Sequence, residues 1–214
     1  MAATLSRRRG RAALRAVARF VASVMIVSGV LLIADAGLTL AWKEPISSFL
    51  AQRQQNKLQH QLEHPPRRVV ERHPLPGDAI GKITMPTLHA SYYLVEGTSD
   101  SQLTKGPGHY PDTPLPGQRG TVGIAGHRTT YLAPFRHIDD LRRGQPIIVD
   151  MPYGRFVYRV QKTIVVSPTS LWVKRRVGYN RLMMSACHPL YSAAKRIIAF
   201  SRFVRREPSR LKRS

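Results

Sequence analysis

One cysteine in 214 residues excludes more than any other count in this sequence. Cys187 has no partner for an internal disulfide, so a disulfide-stapled scaffold is ruled out, and no zinc-finger spacing occurs. A lone thiol outside the cytoplasm is buried and inert, bonded to another molecule, or reactive. Acidic residues are also scarce: 12 Asp and Glu stand against 34 Lys and Arg, for a formal charge of +22. Asp139 and Asp140 are adjacent in an expected helix and read as solvated, not as a Ca²⁺ cluster. His60 and His64 stand four apart, but with no third ligand nearby they read as a solvated helix face. Neither a metal nor a cofactor is expected. Aromatics make up 7% of the chain, and no aromatic-rich RNA-binding strand is present. The basic excess is largely terminal, in Arg7, Arg8, Arg9, Arg11, Arg15 and Arg19 and again in Arg202, Arg205, Arg206, Arg210, Lys212 and Arg213. That distribution argues against a nucleic-acid partner and leaves phospholipid headgroups or wall polymers as polyanions the chain could meet.

What the sequence does hold is one long apolar run, residues 20–42, broken by Asp35 and ending at Trp42. About 20 such residues span a hydrocarbon core of roughly 30 Å. Arginines flank it on the N-terminal side only, so the positive-inside rule puts residues 1–19 in the cytoplasm and everything past Trp42 outside. Ala34-Asp35-Ala36 has the small-x-small form of a signal-peptidase site, but apolar residues resume to Trp42, which favours an uncleaved anchor. Residues 43–76 read as a stalk, with a helix over 52–63 that is polar all round, broken at Pro65-Pro66 and again near Pro74 and Pro76.

A folded domain is expected over 77–204, with 205–214 as a basic tail. Short β-type runs occur at 81–86, 91–95, 121–125, 146–149, 155–160 with 163–166, 181–185 and 196–200, separated by Gly- and Pro-rich turns. Residues 133–143 read as one short helix closed by Gly144. Many strands with few helices predict a mainly β sandwich or barrel.

Three polar residues sit at strand ends in apolar surroundings. His127 follows the 121–125 run, Cys187 ends the 181–185 run, and Arg196 opens the last one. If the last two strands form a hairpin, Cys187 and Arg196 face each other across its mouth. A thiol, an imidazole and a guanidinium supply the nucleophile, proton donor and oxyanion stabiliser of acyl transfer. His188 adjoins Cys187 but points to the other face of the strand, as a loop-capping residue would.

Over 77–204 the chain resembles the sortases, most closely class E of the high-GC Gram-positive bacteria. The resemblance rests on Gly106-Pro-Gly-His-Tyr110, Leu115-Pro-Gly-Gln118, the run from Gly120 to Tyr131 containing Ala125-Gly-His-Arg128, and Cys187-His-Pro189 with Arg196. It implies a closed β-barrel in which Cys187 is the nucleophile, His127 the catalytic histidine and Arg196 the oxyanion stabiliser. It further implies a Leu-Ala-x-Thr-Gly sorting signal on secreted proteins, cut between Thr and Gly through a thioester, and a peptidoglycan-precursor amine as acceptor. Tyr110, Thr129 and Ala186 are its substrate-contact candidates. Where the family usually reads Thr-Leu-Thr-Thr-Cys, this chain has Met183-Met-Ser-Ala-Cys187, so a hydroxyl expected beside the nucleophile is replaced by the methyl of Ala186. Two alternatives stay open: a weakly active sortase-like protein, and a membrane-anchored basic module that binds wall polymers or other polyanions.

Overall fold

The computed structural model describes residue 15 and residues 17–34 and 45–211. Asp35, the 36–42 part of the apolar run, the first arginines, Lys212 and Arg213 lie outside the described residues. Two units divide at Pro45. The first contains helix α1 (Val17–Ala34), the one described helix long and apolar enough to cross a membrane, with none of its residues buried. At 1.5 Å per residue it is about 27 Å long, close to the thickness of a hydrocarbon core.

The second unit is a closed eight-stranded barrel with short helices. Helix α2 (Pro45–Glu63) and helix α3 (Arg67–Val70) precede strands β1 (Ala79–Met85) and β2 (Ala90–Glu96). Helix α4 (Asp100–Leu103), β3 (Gly108–His109), β4 (Thr121–Ala125), β5 (Pro146–Met151), β6 (Gly154–Val166), β7 (Arg181–His188) and β8 (Lys195–Glu207) follow. Their order around the barrel is β1-β2-β3-β4-β7-β8-β6-β5, with β5 returning to β1. Two pairs are parallel, β2 with β3 and β4 with β7, and the rest are antiparallel. The β4–β7 pairing places the ends of two sequence-distant strands side by side.

Val, Ile and Thr dominate β5 and β6, as suits a pleated surface packed on one side. Ile83, Leu94, Ile124, Val149, Tyr158 and Met184 fill the barrel interior. A second cluster covers the outside of β7 and β8, where Met183, Ile198 and Phe200 pack under Val173 of a 3₁₀ turn at Leu171–Lys174. These two strands are therefore covered on both faces. That explains why the sequence from 196 to 200 is continuously apolar after its arginine instead of alternating.

Two elements differ from the sequence reading. Residues 133–143 form only a 3₁₀ turn at Ile138–Asp140. Tyr131, Leu132 and Ala133 have φ of 49°, 65° and 43°, left-handed values that no helix start tolerates, and Pro134 follows. Phe135, Ile138 and Leu141 are buried at a spacing of three, which imitates a helical stripe in sequence. Gly144 has φ 88° and donates to the Val160 carbonyl (2.8 Å) instead of capping a helix.

The helix over 52–63 does form, within α2, but it is not polar all round. Leu58 and Leu62 pack on Ala79 and Val95. Gln55 is buried beside β2, where its amide accepts from Tyr93 N (2.7 Å) and donates to Tyr93 O (3.1 Å) and Lys105 O (2.8 Å). Within β2, strand β3 reaches only Val95 and Glu96, so the Tyr93 backbone has no strand partner on that side. One glutamine side chain fills the gap. A buried glutamine satisfied this way has no hydrophobic signature in the sequence.

Candidate active site

The β7–β8 register pairs Cys187 with Arg196 directly, in a hairpin closed by residues 189–194. Facing residues on adjacent antiparallel strands project to the same side with Cβ atoms about 5 Å apart. On the other edge of β7 the parallel register pairs Ala125 with Ser185, and Gly126 N still donates to Ser185 O at 3.0 Å. Strand β4 ends at Ala125, and His127 follows two residues beyond it, on the side of β7 opposite β8. The thiol and the guanidinium therefore stand abreast at one end of β7 and β8, and the imidazole lies in the loop that leaves the neighbouring strand.

Local sequence makes this approach possible. A Cβ on Gly126 would lie 2.6 Å from the Phe135 ring, so only glycine lets the chain turn past that ring just before His127. The His127 carbonyl accepts from Phe135 N (3.0 Å), and its ring lies 5.2 Å from the Tyr131 ring. Cys187 is half-buried and free. Arg196 is also half-buried, and one terminal nitrogen donates to Ala193 O (2.9 Å) and Lys195 O (3.0 Å), which holds the fork at the hairpin mouth.

A pocket of about 120 Å³ runs along the same outer face of β7 and β8, lined by Tyr110, Leu171, Lys174, Met183, Ser185 and Arg196 among others. Cys187 is the next residue beyond Ser185 on that face. Lys174 lies over the Tyr110 ring at 5.4 Å and bonds to Asp112. Gly123 allows the Tyr110 ring to lie against β4, because a Cβ there would meet it at 2.8 Å. The structure therefore brings Tyr110 to the groove. It does not bring Ala186 there: Ala186 is 3% exposed and belongs to the interior cluster on the opposite face of β7. Thr129 is half-buried in the loop after His127 and does not line this pocket. A larger concavity of about 700 Å³ lies at the far end of β8, by Tyr153 and Arg206.

Two buried polar arrangements behind the site have no obvious sequence signal. Arg128, 3% exposed, donates to His188 Nδ1 (3.1 Å) and pairs with Asp139 at 2.5 Å. Arginine has no acceptor, so His188 Nδ1 is the acceptor and its proton sits on Nε2. Asp139 is thus paired, not simply solvated. Burial alone raises its carboxyl pKa, but hydrogen bonds and the charges of Arg128 and His137 bring it net below the usual carboxylate range.

The other arrangement is His109 with Glu96, both buried, with Nδ1 2.9 Å from the carboxylate. His109 Nε2 faces Pro114 O (3.1 Å) and Thr113 Oγ1 (3.2 Å). The Thr113 hydroxyl gives its one hydrogen to Tyr110 O (2.8 Å), so Nε2 must donate. Thr113 also accepts from Gly123 N, which ties the Tyr110 turn to β4. His109 and Arg128 lie inside strings that carry the family resemblance, but nothing in those strings names Glu96 or Asp139 as their partners.

Comparison with known proteins agrees with this geometry. The Sortase domain family model matches residues 83–204, more than half of the chain. Sortase D of Bacillus subtilis is 32% identical over 136 residues, covering 61% of this chain and 67% of that protein. Sortase SrtE1 of Streptomyces coelicolor is 27% identical over 206 residues; the match covers 89% of this chain but 58% of that protein. The crystal structure of the latter organism's sortase E1 superimposes with a TM-score of 0.58 at 28% identity, covering 61% of this chain and 90% of that one. The barrel, the pairing of Cys187 with Arg196 beside the strand that leads to His127, and these likenesses agree: the chain belongs to the sortase family, with class E members among its relatives.

Proposed function

We propose that this protein is a membrane-anchored cysteine transpeptidase that cuts a Leu-Ala-x-Thr-Gly sorting signal and joins the cut protein to a cell-wall amine. Membership of the sortase family supports transpeptidase activity at the coarse level. The observation that supports the finer reading is the strand register that pairs Cys187 with Arg196 while β4, which leads into His127, runs along the other edge of β7.

In this reading the Cys187 thiolate attacks the Thr–Gly carbonyl carbon, and the Arg196 guanidinium stabilises the oxygen as it gains charge. His127, protonated, gives its proton to the departing amine as the C–N bond breaks, leaving a thioester on Cys187. The neutral imidazole then takes a proton from the incoming amine as it attacks, and the thiolate leaves. Each proton is returned and the enzyme is restored. A free thiol with pKa of about 8.5 is only a few per cent ionised at neutral pH, so neighbouring cations raise its reactive fraction. The pocket lined by Tyr110, Leu171 and Met183 supplies an apolar trough for the signal's first residues. The Streptomyces coelicolor sortase E1 holds a tripeptide in its active site. Helix α1 serves as a single-pass anchor with the N-terminus inside and the barrel outside.

The test is a product assay. Full-length protein in micelles, incubated with a Leu-Ala-x-Thr-Gly peptide and an amine-bearing peptidoglycan fragment, yields the joined peptide. His127→Ala yields none. Release of a free threonine carboxylate at the same rate with and without the fragment contradicts the transferase reading in favour of a peptidase.

A further inference from the structure

We infer that the surface around Tyr179, at the opposite end of β7 from Cys187, binds a phosphodiester polyanion. The barrel register sets three arginines abreast, Arg181 on β7, Arg202 on β8 and Arg159 on β6. Facing residues project to one side, so the three cations share a face, and like charges directly opposite repel. The Arg202 guanidinium lies 4.8 Å over the Tyr179 ring, whose hydroxyl donates to Gln161 Oε1 at 2.9 Å. Arg181 is buried beneath them. Its guanidinium donates to Thr121 Oγ1 (2.9 Å), Val173 O (2.9 Å) and Arg175 O (3.1 Å), all neutral oxygens. Its charge is held in place but not cancelled, and burial lowers its pKa from the usual guanidinium value.

Beside this row opens a pocket of about 450 Å³ lined by Arg119, Arg176, Tyr179 and Asn180 together with Gly120, Val177 and Gly178. No carboxylate lines it. Among the described residues no ion pair joins Arg119, Arg159, Arg176 or Arg202 to an acid. Arg119, Arg176 and Arg202 surround the Tyr179 side of this pocket with Arg181 buried beneath, and Arg159, whose guanidinium donates to Gly144 O (2.6 Å), extends the row; together they call for a counter-anion. Guanidinium forks match phosphate oxygens two at a time. The concavity favours a chain over a bilayer, because a flexible phosphodiester strand can enter a pocket that a flat layer of headgroups only spans. A second depression, which Asp112 also lines, links Arg119 and Arg176 to Lys174, the partner of Asp112 and a lining residue of the groove beside Arg196. A bound polymer would therefore hold wall material beside the site of acyl transfer.

The experiment titrates the full-length protein in detergent micelles with a poly(glycerol phosphate) oligomer, read by calorimetry. Wild type binds, and its affinity falls steeply between about 50 and 200 mM salt. Arg159→Gln/Arg202→Gln and Arg119→Gln/Arg176→Gln each weaken binding at least about tenfold, while the exposed control pair Arg142→Gln/Arg143→Gln stays within about twofold. Circular dichroism confirms the fold of each variant, and the two site pairs test the surface independently should one fail to fold. Equal weakening by all three pairs overturns the site in favour of general charge. Binding of phosphatidylglycerol vesicles but not of the oligomer overturns the polymer in favour of a membrane. Equal binding of poly-glutamate, with the same dependence on these arginines, overturns the phosphate chemistry. An oligomer that does not bind wild type overturns the inference as a whole.

Discussion

The two faces of β7 live under different rules. Leu182, Met184 and Ala186 belong to the barrel-interior cluster, whereas Arg181, Met183, Ser185 and Cys187 lie on the outer face, where the 171–174 turn covers Met183. The inner residues are chosen by volume, because an interior packed to crystal density punishes any change of size. The outer face is divided: Met183 is buried under Val173, whereas Ser185 borders the groove and Cys187 is half-exposed. One strand therefore feeds the core from its inner face and borders the groove with its outer end. A substitution on the inner face should lose stability, and one at Cys187 or at its partner Arg196 should lose turnover.

The largest effect expected is on the outer side. Arg196→Lys keeps the charge but loses the planar fork that faces Cys187, and kcat/KM falls about 10²-fold or more, about 3 kcal/mol of transition-state stabilisation, with Tm unchanged. Arg205→Lys, further along β8, is nearly silent in the same peptide assay. Similar losses at both positions would mean that the surface acts through bulk charge and that the contrast between the faces says nothing about chemistry.

On the inner side, Met184→Ala removes a fully buried side chain and should cost about 2–3 kcal/mol by denaturant unfolding, with the activity of the remaining folded protein intact. A mutant of normal stability and impaired turnover would break the comparison. Ala186→Thr sharpens it. If residue 186 contacted substrate, restoring the hydroxyl would raise turnover. Because Ala186 is interior, threonine there overpacks and buries a hydroxyl, and we expect a loss of about 1–2 kcal/mol in stability with no gain in rate.

The smallest effect concerns Arg128, which grips His188 at the end of β7. Asp139 has its carboxyl pKa net lowered, so the pair contributes stability above the unfolded value of about 3.9 and loses it as pH falls through the lower folded value. Asp139 is 47% exposed, so the contribution is below about 1 kcal/mol. Asp139→Asn should flatten the dependence of Tm on acid below the usual carboxylate pKa relative to wild type.

How much of this was legible in the sequence follows from the same contrast. Strand β4 has the bounds expected of it, and the core of β7 and β8 is visible because runs of apolar residues bounded by turns leave few other readings. The pairing of Cys187 with Arg196 could be anticipated from a hairpin between adjacent strands. Strand β3 could not, since two residues carry no periodicity. Ala186 is a substrate-contact candidate only through the resemblance to a threonine string, although strand parity places it opposite Cys187 and Ser185. Residues 133–143 misled because three buried apolar residues at a spacing of three suit a helix and a turn-rich loop equally. Gln55, Arg128 and His109 escaped because their roles depend on backbone groups and partners far off in sequence.

The central claim is that the outer face of β7 presents a nucleophile, and intact-protein mass spectrometry tests it most directly. Full-length protein mixed with a Leu-Ala-x-Thr-Gly peptide, quenched in acid within seconds, should gain the mass of the peptide acylated through its threonine. That adduct should vanish on treatment with hydroxylamine and be absent from Cys187→Ala, which keeps its fold. An adduct of the same mass on Cys187→Ala, or cleavage of the peptide by that variant, would contradict the account and leave Cys187 a structural thiol.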